Sequence, residues 1–341
     1  MPEHFTRPGA RDWRCAPAPA GVRDFHATLP GYAPTPLAEL PALASELGVG
    51  RVFVKDESFR LGLSAFKALG ASWAIHRILA AAPSPVTLVT ATDGNHGRAV
   101  ARMAVLSGQR ARVFVAGGVH PRAVAAIAAE RAEVTEIPGN YEDAVRAAVG
   151  AASAPGAILV QDTAWPGYEQ IPAWIVEGYA TLCAEIDGLV RPDLVVIPVG
   201  VGSLAQAVIT HYRSRSGYAP ALLAVEPDTA ACLLASLTAG APVRVDTGHT
   251  IMAGLNCGTL SSLAWPYLRH GLDAAVAVTD AQTARAATDL AALGISAGPC
   301  GAATLAGLRA APGTPLGLTP DSVVVLLNTE GRAANPWGDK A

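Results

Sequence analysis

The chain carries one lysine, one aspartate and one asparagine in settings that suit chemistry. Lys67 stands alone in the apolar helical stretch SFRLGLSAFKALGAS, and Asp93 and Asn95 share the short segment TATDGNHGR. A lysine in such surroundings either extends to solvent or acts as a nucleophile. A carboxylate can move a proton, and an amide can hydrogen-bond a ligand. These residues therefore predict a reactive site, provided that the fold brings them together.

The elements around Asp93 and Asn95 predict where these two side chains lie. Val86–Thr90 is apolar enough for a buried strand, and Arg98–Leu106 has the composition of a helix. The glycines of DGNHG allow the tight turn between them. Asp93 and Asn95 then follow the carboxyl end of a strand, where α/β folds bind their ligands.

A second strand–turn–helix unit is DLVVIPVGVGSLAQAVITHY, in which Val195–Pro198 is the predicted strand. The turn that follows exposes backbone N–H groups at the start of a helix, which suits an anion. A tight turn that serves packing alone is the other interpretation. The segment is neither a dinucleotide fingerprint, since Ala205 replaces the last glycine, nor a Walker motif, since it lacks the lysine. It therefore favours a phosphate on a small cofactor.

A third unit is DSVVVLLNTEGR, near the end of the chain. The predicted strand Val323–Leu327 delivers Asn328, Thr329 and Glu330 to its carboxyl end. The hydroxyl of Thr329 can hydrogen-bond a neutral ring nitrogen. Capping of a turn is the alternative role for Thr329 and Glu330.

Composition limits the classes of protein to consider. The 341 residues predict about two domains, and 51% hydrophobic with 16% charged residues predicts an ordered chain. The net charge of −3, without a basic run, argues against nucleic-acid binding. The longest apolar stretch, Leu194–Ile209, is too short and too interrupted by proline and glycine to span a membrane.

The cysteines and the amino terminus predict a cytoplasmic protein. The five cysteines are odd in number and widely spaced, without a CxxC pair, so neither a disulfide framework nor a metal site is expected. The segment MPEHFTRPGARDWRC has no apolar stretch of signal-peptide length.

Strand-like and helix-like segments alternate along the chain, which predicts an α/β fold with mainly parallel sheets flanked by helices. Alanine-rich helices such as Pro121–Glu130 and Tyr141–Ala151 fall between the strands. The predicted strands are Arg51–Lys55, Val86–Thr90, Ala111–Ala116, Ala132–Ile137, Ala157–Gln161, Leu194–Pro198, Leu222–Glu226 and Ser322–Asn328.

Taken together, AFKALGA, DGNHG, GVGSL and NTEG resemble the fold-type II enzymes that use pyridoxal 5′-phosphate, the tryptophan synthase β-like family. FHATLPGYAPTPL, VKDESFRLGLSAFKALG, VQDTAWPGYEQIP and TIMAGLNCG narrow the resemblance to the diaminopropionate ammonia-lyase branch. The resemblance covers most of residues 25–331. It implies two domains, a larger one of residues 1–70 plus 165–341 and a smaller one of residues 71–164, and a homodimer.

The resemblance also implies a role for each site residue. Lys67 holds the cofactor covalently, Asn95 bonds the 3′-oxygen of its ring, and Thr329 faces the pyridine nitrogen. Asp93 and Asp162 are the implied bases for the α-protons of opposite enantiomers, although Asp162 alone would also suit a helix cap. The implied phosphate cradle consists of Gly200, Val201, Gly202, Ser203 and Leu204.

Asp93 favours a diamino acid substrate over serine or threonine. Dehydratases of this fold carry a small residue before GNH, where a carboxylate would repel the substrate's own carboxylate. Two unit charges about 4 Å apart interact by about 4 kcal/mol at an effective dielectric constant near 20, so a second ammonium group on the substrate would be attracted as strongly. The chemistry needs an unprotonated Lys67, so we expect an apolar pocket that lowers its pKa.

Two other enzyme activities and one non-enzymatic role stay open at this point. The family usually has a GESGA-type segment where this chain has SAGPCGAATL, with Cys300 in the place of a common serine. That difference leaves a β-replacement synthase and a serine/threonine-type dehydratase as alternatives to elimination of ammonia. A cofactor-binding regulator that has lost turnover is disfavoured by the intact Lys67, Asp93, Asn95 and Asp162.

Overall fold

The computed structural model describes residues 4–82, 85–311 and 316–334. The strands are β1 (His4–Thr6), β2 (Leu37–Glu39), β3 (Arg51–Asp56), β4 (Thr87–Ala91), β5 (Arg110–Ala116), β6 (Glu133–Ile137), β7 (Ala157–Leu159), β8 (Leu194–Pro198), β9 (Ala221–Pro227), β10 (Ala274–Val278) and β11 (Val323–Asn328). The α-helices are α1 (Val22–Ala27), α2 (Pro41–Leu47), α3 (Lys67–Ala81), α4 (Asn95–Leu106), α5 (Pro121–Ala129), α6 (Tyr141–Ala151), α7 (Gln170–Asp187), α8 (Ser203–Arg213), α9 (Cys232–Ala239), α10 (Trp265–Gly271), α11 (Asp280–Ala292) and α12 (Pro299–Ala310). Single-turn 3-10 helices lie at Ala10–Asp12, Arg60–Gly62, Asp228–Ala230 and Ala253–Leu255.

The strands form two sheets. The seven-stranded sheet has the order β1-β10-β9-β8-β11-β3-β2, and the four-stranded sheet has the order β6-β5-β4-β7. All pairs of the smaller sheet are parallel. In the larger sheet the inner pairs are parallel, and only β1 and β2 run antiparallel to their neighbours at the edges. The mainly parallel α/β architecture predicted from the alternation of segments is thus confirmed.

Sequence patterns identified eight of these strands and missed β1, β2 and β10. β1 and β2 are three residues long and lie at sheet edges, so their local patterns are weak. The segment Ala274–Val278 is mostly alanine, a poor strand former, yet it is almost wholly buried between neighbouring strands. Its tertiary surroundings therefore decide its conformation.

Two glycines allow α3 and α7 to pack with their backbones in contact. A Cβ atom on Gly70 would lie 2.6 Å from Cε1 of Tyr179, and one on Gly178 would lie 2.5 Å from the carbonyl oxygen of Leu69. Any larger residue would force the helices apart. Because α3 begins at Lys67, this close packing fixes the position of that lysine's backbone.

A cluster of buried charges, here called the Glu185 cluster, joins α7 to the segment that precedes α3. It consists of Lys55, Glu57, Arg60 and Glu185, whose side chains are at most 1% exposed. Glu185 accepts hydrogen bonds from Lys55 Nζ at 2.6 Å and from Arg60 Nη1 at 2.8 Å. Arg60 also donates to Glu57 at 2.7 Å, so Glu57 serves the fold close to Lys67.

All five cysteines have free thiols in the structure. Among the helices of the described residues, none combines the length and the apolar character needed to cross a membrane.

Candidate active site

A cavity of about 1470 Å³ lies at the carboxyl ends of strands from both sheets. β4 and β7 approach it from the smaller sheet, and β8 and β11 approach it from the larger one. The cavity is lined by every site residue predicted from sequence, namely Lys67, Asp93, Asn95, Asp162, Gly200, Val201, Gly202, Ser203, Leu204 and Thr329. Residues from four strand ends therefore meet Lys67, at the start of α3, in one place, and ligands of α/β folds commonly bind at such strand ends.

Lys67 and Asp162 form an ion pair inside this cavity. Nζ of Lys67 lies 2.6 Å from Oδ2 of Asp162, and the two side chains are 20% and 10% exposed. Burial lowers the pKa of Lys67, but the carboxylate of Asp162 outweighs burial and raises it above its usual value. The expectation that the pocket lowers the pKa of Lys67 is wrong for this arrangement, because sequence patterns did not place Asp162 against the amine.

Asp162 keeps its negative charge for the same reason. Burial raises its pKa, yet the attraction of Lys67 outweighs burial and holds the pKa well below the usual range. His96 also approaches this carboxylate, with Nδ1 at 3.9 Å from Oδ2. The other ring nitrogen of His96 bonds the carbonyl oxygen of Val160 at 2.7 Å, and burial lowers the pKa of the ring. A neutral His96 with its proton on Nε2 donates to Val160, and its Nδ1 has no hydrogen-bond partner among the described residues.

Asp93 has the opposite electrostatic environment. Burial and the negative charge of Asp162 raise the pKa of Asp93 to about 6. Asp93 thus changes its charge close to neutral pH, whereas Asp162 stays ionised. Two carboxylates of such different pKa within one cavity are typical of acid–base sites.

Asn95 opens α4, and its side chain is held by the end of β11. Its Nδ2 donates to Oε2 of Glu330 at 2.6 Å. The same carboxylate accepts the backbone N–H of Cys300 through Oε1 at 3.1 Å. One of the two N–H groups of Nδ2 is engaged in this way, so the other can meet a ligand in the cavity. The segment SAGPCGAATL therefore reaches the site through Cys300.

The turn between β8 and α8 presents backbone donors to the cavity. The amides from Gly200 to Leu204 find no acceptor among the residues that the structure describes. A Cβ atom on Gly200 would lie 3.0 Å from the carbonyl oxygen of Gly254, and Gly202 has a φ of 97°. Both positions thus require glycine. Unpaired amides at the start of an eleven-residue helix suit a phosphate group. The hydroxyl of Ser203 is engaged with the carbonyl oxygen of Asp162 at 2.8 Å, so its backbone amide is the available donor.

The end of β11 also fixes the backbone of Lys67. The carbonyl oxygen of Thr329 accepts the N–H of Phe66 at 3.1 Å, and the N–H of Gly331 donates to Ser64 at 2.9 Å. These bonds tie the start of α3 to the strand that carries Thr329. The backbones of Lys67 and Thr329 are therefore fixed relative to each other.

Two tyrosines of the site were missed by sequence reasoning. Tyr141 opens α6 and lines the cavity, where its hydroxyl accepts a hydrogen bond from Nε2 of Gln161 at 2.6 Å. It follows a strand of the smaller sheet, so the rule that found Asp93 would also have found it. Tyr179 lies in the middle of α7 behind Phe66, with ring centroids 4.7 Å apart. No local pattern distinguishes it from an ordinary core residue.

Within residues 4–82, 85–311 and 316–334, no group of three or more His, Cys, Asp or Glu side chains is placed to hold a metal ion.

Comparisons with known proteins agree on one family. A model of the family described as pyridoxal-phosphate dependent enzyme matches residues 28–330. Diaminopropionate ammonia-lyase of Salmonella typhimurium is 39% identical over 296 residues, covering 77% of this chain and 73% of that protein. The Escherichia coli protein of that name is 38% identical over 352 residues, covering 91% and 87%. A crystal structure of the Escherichia coli protein, in complex with an aminoacrylate–PLP azomethine reaction intermediate, has a TM-score of 0.83 at 35% identity and covers 96% and 91%.

Proposed function

Because the chain belongs to the pyridoxal-phosphate dependent enzyme family, we propose that it eliminates ammonia from 2,3-diaminopropionate to give pyruvate and ammonia. One observation carries the proposal: Lys67, Asp93 and Asp162 line the same cavity, and the two carboxylates have widely separated pKa values. A nucleophilic amine with two distinct carboxylates is the set of groups that this elimination needs.

We propose that each predicted residue holds the part of pyridoxal 5′-phosphate that its chemistry suits. Lys67 supplies the amine that joins the aldehyde, and Thr329 supplies a hydroxyl for the ring nitrogen. Asn95 supplies its remaining amide N–H for the 3′-oxygen of the ring. The phosphate takes the unpaired amides of Gly200, Val201, Gly202, Ser203 and Leu204. When bound, this cofactor draws electrons from the Cα atom of an attached amino acid, so that the α-proton and the β-substituent can leave.

The charges of the cavity support a diamino acid as the substrate. Asp162 already has a cationic partner in Lys67, whereas Asp93 has no cation among the causes of its raised pKa. An ammonium group on the β-carbon of the substrate would pair with Asp93 and favour its ionised form. Serine offers only a hydroxyl there, so it leaves the carboxyl of Asp93 without a cation.

The same pair of carboxylates supports removal of the α-proton from either face. We propose that Asp93 accepts the proton from one enantiomer and Asp162 accepts it from the other. Asp162 is free for this step only when the Lys67 amine has moved away from it.

Pyruvate release from purified protein tests the proposal. The assay compares D- and L-diaminopropionate with serine and threonine, in the presence and absence of an added thiol. We expect rapid pyruvate release from at least one diamino acid enantiomer and much slower release from serine. A protein that releases no pyruvate from either enantiomer contradicts the proposal. Capture of the product by the thiol would instead identify a β-replacement synthase.

We propose further that the protein is a cytoplasmic homodimer with two domains. Free thiols on all five cysteines support a reducing compartment. The division into residues 1–70 plus 165–341 and residues 71–164 is supported by the two sheets, since the strands of the smaller one lie between Thr87 and Leu159. Light scattering after size-exclusion chromatography measures the mass of the assembly, and a mass of one chain excludes the dimer.

A further inference from the structure

The hydroxyl of Tyr179 is an unusual feature of the protein interior. Tyr179 has no exposed surface, and its hydroxyl has no hydrogen-bond partner among the described residues. Most buried polar side chains are hydrogen-bonded, because an unpaired one costs free energy of folding. An unpaired hydroxyl beside a reactive site therefore needs an explanation.

The surroundings of Tyr179 place it beside the reactive lysine. Its ring packs against the ring of Phe66 at 4.7 Å, and Nζ of Lys67 lies 5.2 Å from the same Phe66 ring. Its Cε1 also occupies the space that Gly70 leaves on the first turn of α3. The charge of Lys67 opposes the rise that burial causes in the pKa of the phenol, as expected for neighbouring groups.

The proposed reaction separates Lys67 from its present partner. The amine of Lys67 donates to Asp162 at 2.6 Å while it is free. When a substrate takes the cofactor, the amine of Lys67 is released at the moment when Asp162 must serve the substrate. The amine then needs another hydrogen-bond partner in a largely buried place.

We propose that Tyr179 is a positioning residue whose hydroxyl holds the released amine of Lys67 while Asp162 serves the substrate. This inference rests on the proposed function. The phenol oxygen accepts a hydrogen bond from the amine when the amine is charged, and its O–H donates a hydrogen bond to the nitrogen when the amine is neutral. The hydroxyl thus keeps the nitrogen close to the position to which it must return at the end of each turnover.

Tyr179→Phe removes the hydroxyl and keeps the ring that fills the space beside Gly70. Tyr212→Phe is a matched control, because Tyr212 is a buried tyrosine on α8 whose hydroxyl also has no partner among the described residues. Lys67 is not among the charges that shift the pKa of Tyr212. Since both changes remove an unpaired buried hydroxyl, neither should lower the melting temperature of the holoenzyme.

Two readouts distinguish positioning from a structural role. The first is steady-state kinetics. We expect kcat of Tyr179→Phe to fall by about three- to tenfold, which corresponds to the loss of one hydrogen bond, and we expect KM to stay unchanged. The second uses alanine, which has no β-leaving group. After dilution out of alanine, the absorbance of the resting holoenzyme should return more slowly in Tyr179→Phe by a similar factor. Tyr212→Phe should match the wild type in both.

Equal rates of return in Tyr179→Phe and the wild type would overturn the inference, as would equal losses in both variants. A failure of the proposed function is a different result. In that case the wild type itself releases no pyruvate from diaminopropionate, whatever happens at Tyr179.

Discussion

Two regions of the molecule bury a lysine against a carboxylate at the same distance, and they differ in everything else. In the Glu185 cluster, Lys55 Nζ lies 2.6 Å from Glu185, and in the cavity Lys67 Nζ lies 2.6 Å from Asp162. The first lysine side chain is 0% exposed and the second is 20% exposed. The ion pair itself therefore does not identify the reactive lysine.

What separates the two regions is the balance of charges and partners. The Glu185 cluster has two cations and two carboxylates, and Glu185 alone accepts hydrogen bonds from Lys55, Arg60, Tyr32 and the backbone of Thr35. The cavity brings Lys67 together with Asp93 and Asp162, and nearby polar atoms of His96 and Tyr179 lack hydrogen-bond partners among the described residues. A cluster with all partners present stabilises one conformation, whereas a site with partners missing is prepared for a ligand.

Replacing each lysine by alanine should separate the two regions most strongly. Lys67→Ala removes the amine that joins the cofactor, so we expect pyruvate release to fall by about 10⁴-fold or more and the absorbance of covalently held cofactor to disappear. Lys55→Ala should keep that absorbance in the protein that remains folded, because Lys55 does not line the cavity. A Lys67→Ala protein that still releases pyruvate at a measurable rate would contradict the assignment of Lys67 as the reactive lysine.

The second largest effect on activity is expected at Asp162, the carboxylate that pairs with Lys67 in the cavity. Asp162→Asn keeps the shape of the side chain but removes its basicity, so kcat should fall by about 10²–10⁴-fold for the enantiomer that it serves. The other enantiomer, which depends on Asp93, should lose much less. Steady-state kinetics with separate D- and L-diaminopropionate measure the difference, and equal losses for both enantiomers would contradict the assignment of two bases.

Sequence patterns singled out Lys67 and Asp93 but neither Lys55 nor Glu185, for a physical reason. Lys67 and Asp93 lie at element boundaries whose glycines and apolar flanks leave local signals. Lys55 and Glu185 are 130 residues apart, and only the tertiary structure brings them together. The same limit explains Tyr179, which looks like any apolar helix position until α3 is packed against it.

The missed strands follow the same rule. β4, β8 and β11 were predicted close to their observed bounds, because each is rich in valine, leucine or isoleucine and ends at a glycine or a polar turn. β10 is mostly alanine and becomes a strand because its neighbours in the sheet cover it. Local sequence patterns thus predicted the strands and turns of the site, whereas long-range packing decided the conformation of β10.

A third prediction concerns stability, for which the Glu185 cluster should matter more than the cavity. Glu185→Gln leaves two cations with one carboxylate in a dry interior, so we expect the free energy of unfolding to fall by about 3–5 kcal/mol. Glu39→Gln is the control, since Glu39 pairs with Arg51 at an exposed edge and its loss should change stability far less. Urea denaturation measures both. A Glu185→Gln protein as stable as the control would mean that the cluster does not stabilise the fold.

The smallest predicted effect is a difference in pH dependence. The pKa of Asp93 is raised to about 6 by burial and by Asp162, so its carboxyl is protonated below that pH and cannot act as a base. For the enantiomer that Asp93 serves, kcat/KM should therefore fall about tenfold for each pH unit below 6. For the other enantiomer the decline should begin at a lower pH, because kcat/KM reports the enzyme before substrate binds, when Lys67 still lowers the pKa of Asp162.

Loss of the Glu185 ion pairs does not imitate this decline, because Glu185 stays ionised in the same pH range. Burial raises the pKa of Glu185, but hydrogen bonds and charge from Arg60 and Lys55 bring it down to about 2. A carboxyl with a lowered pKa stabilises the fold above its unfolded value near 4.5 and loses that contribution only as the pH falls towards 2. Between pH 5 and 7 the contribution of Glu185 to stability is thus unchanged while Asp93 titrates. Asp93→Asn should lower kcat/KM for its enantiomer and make the remaining activity independent of pH, and a decline that persists in this variant would assign the titration to another group.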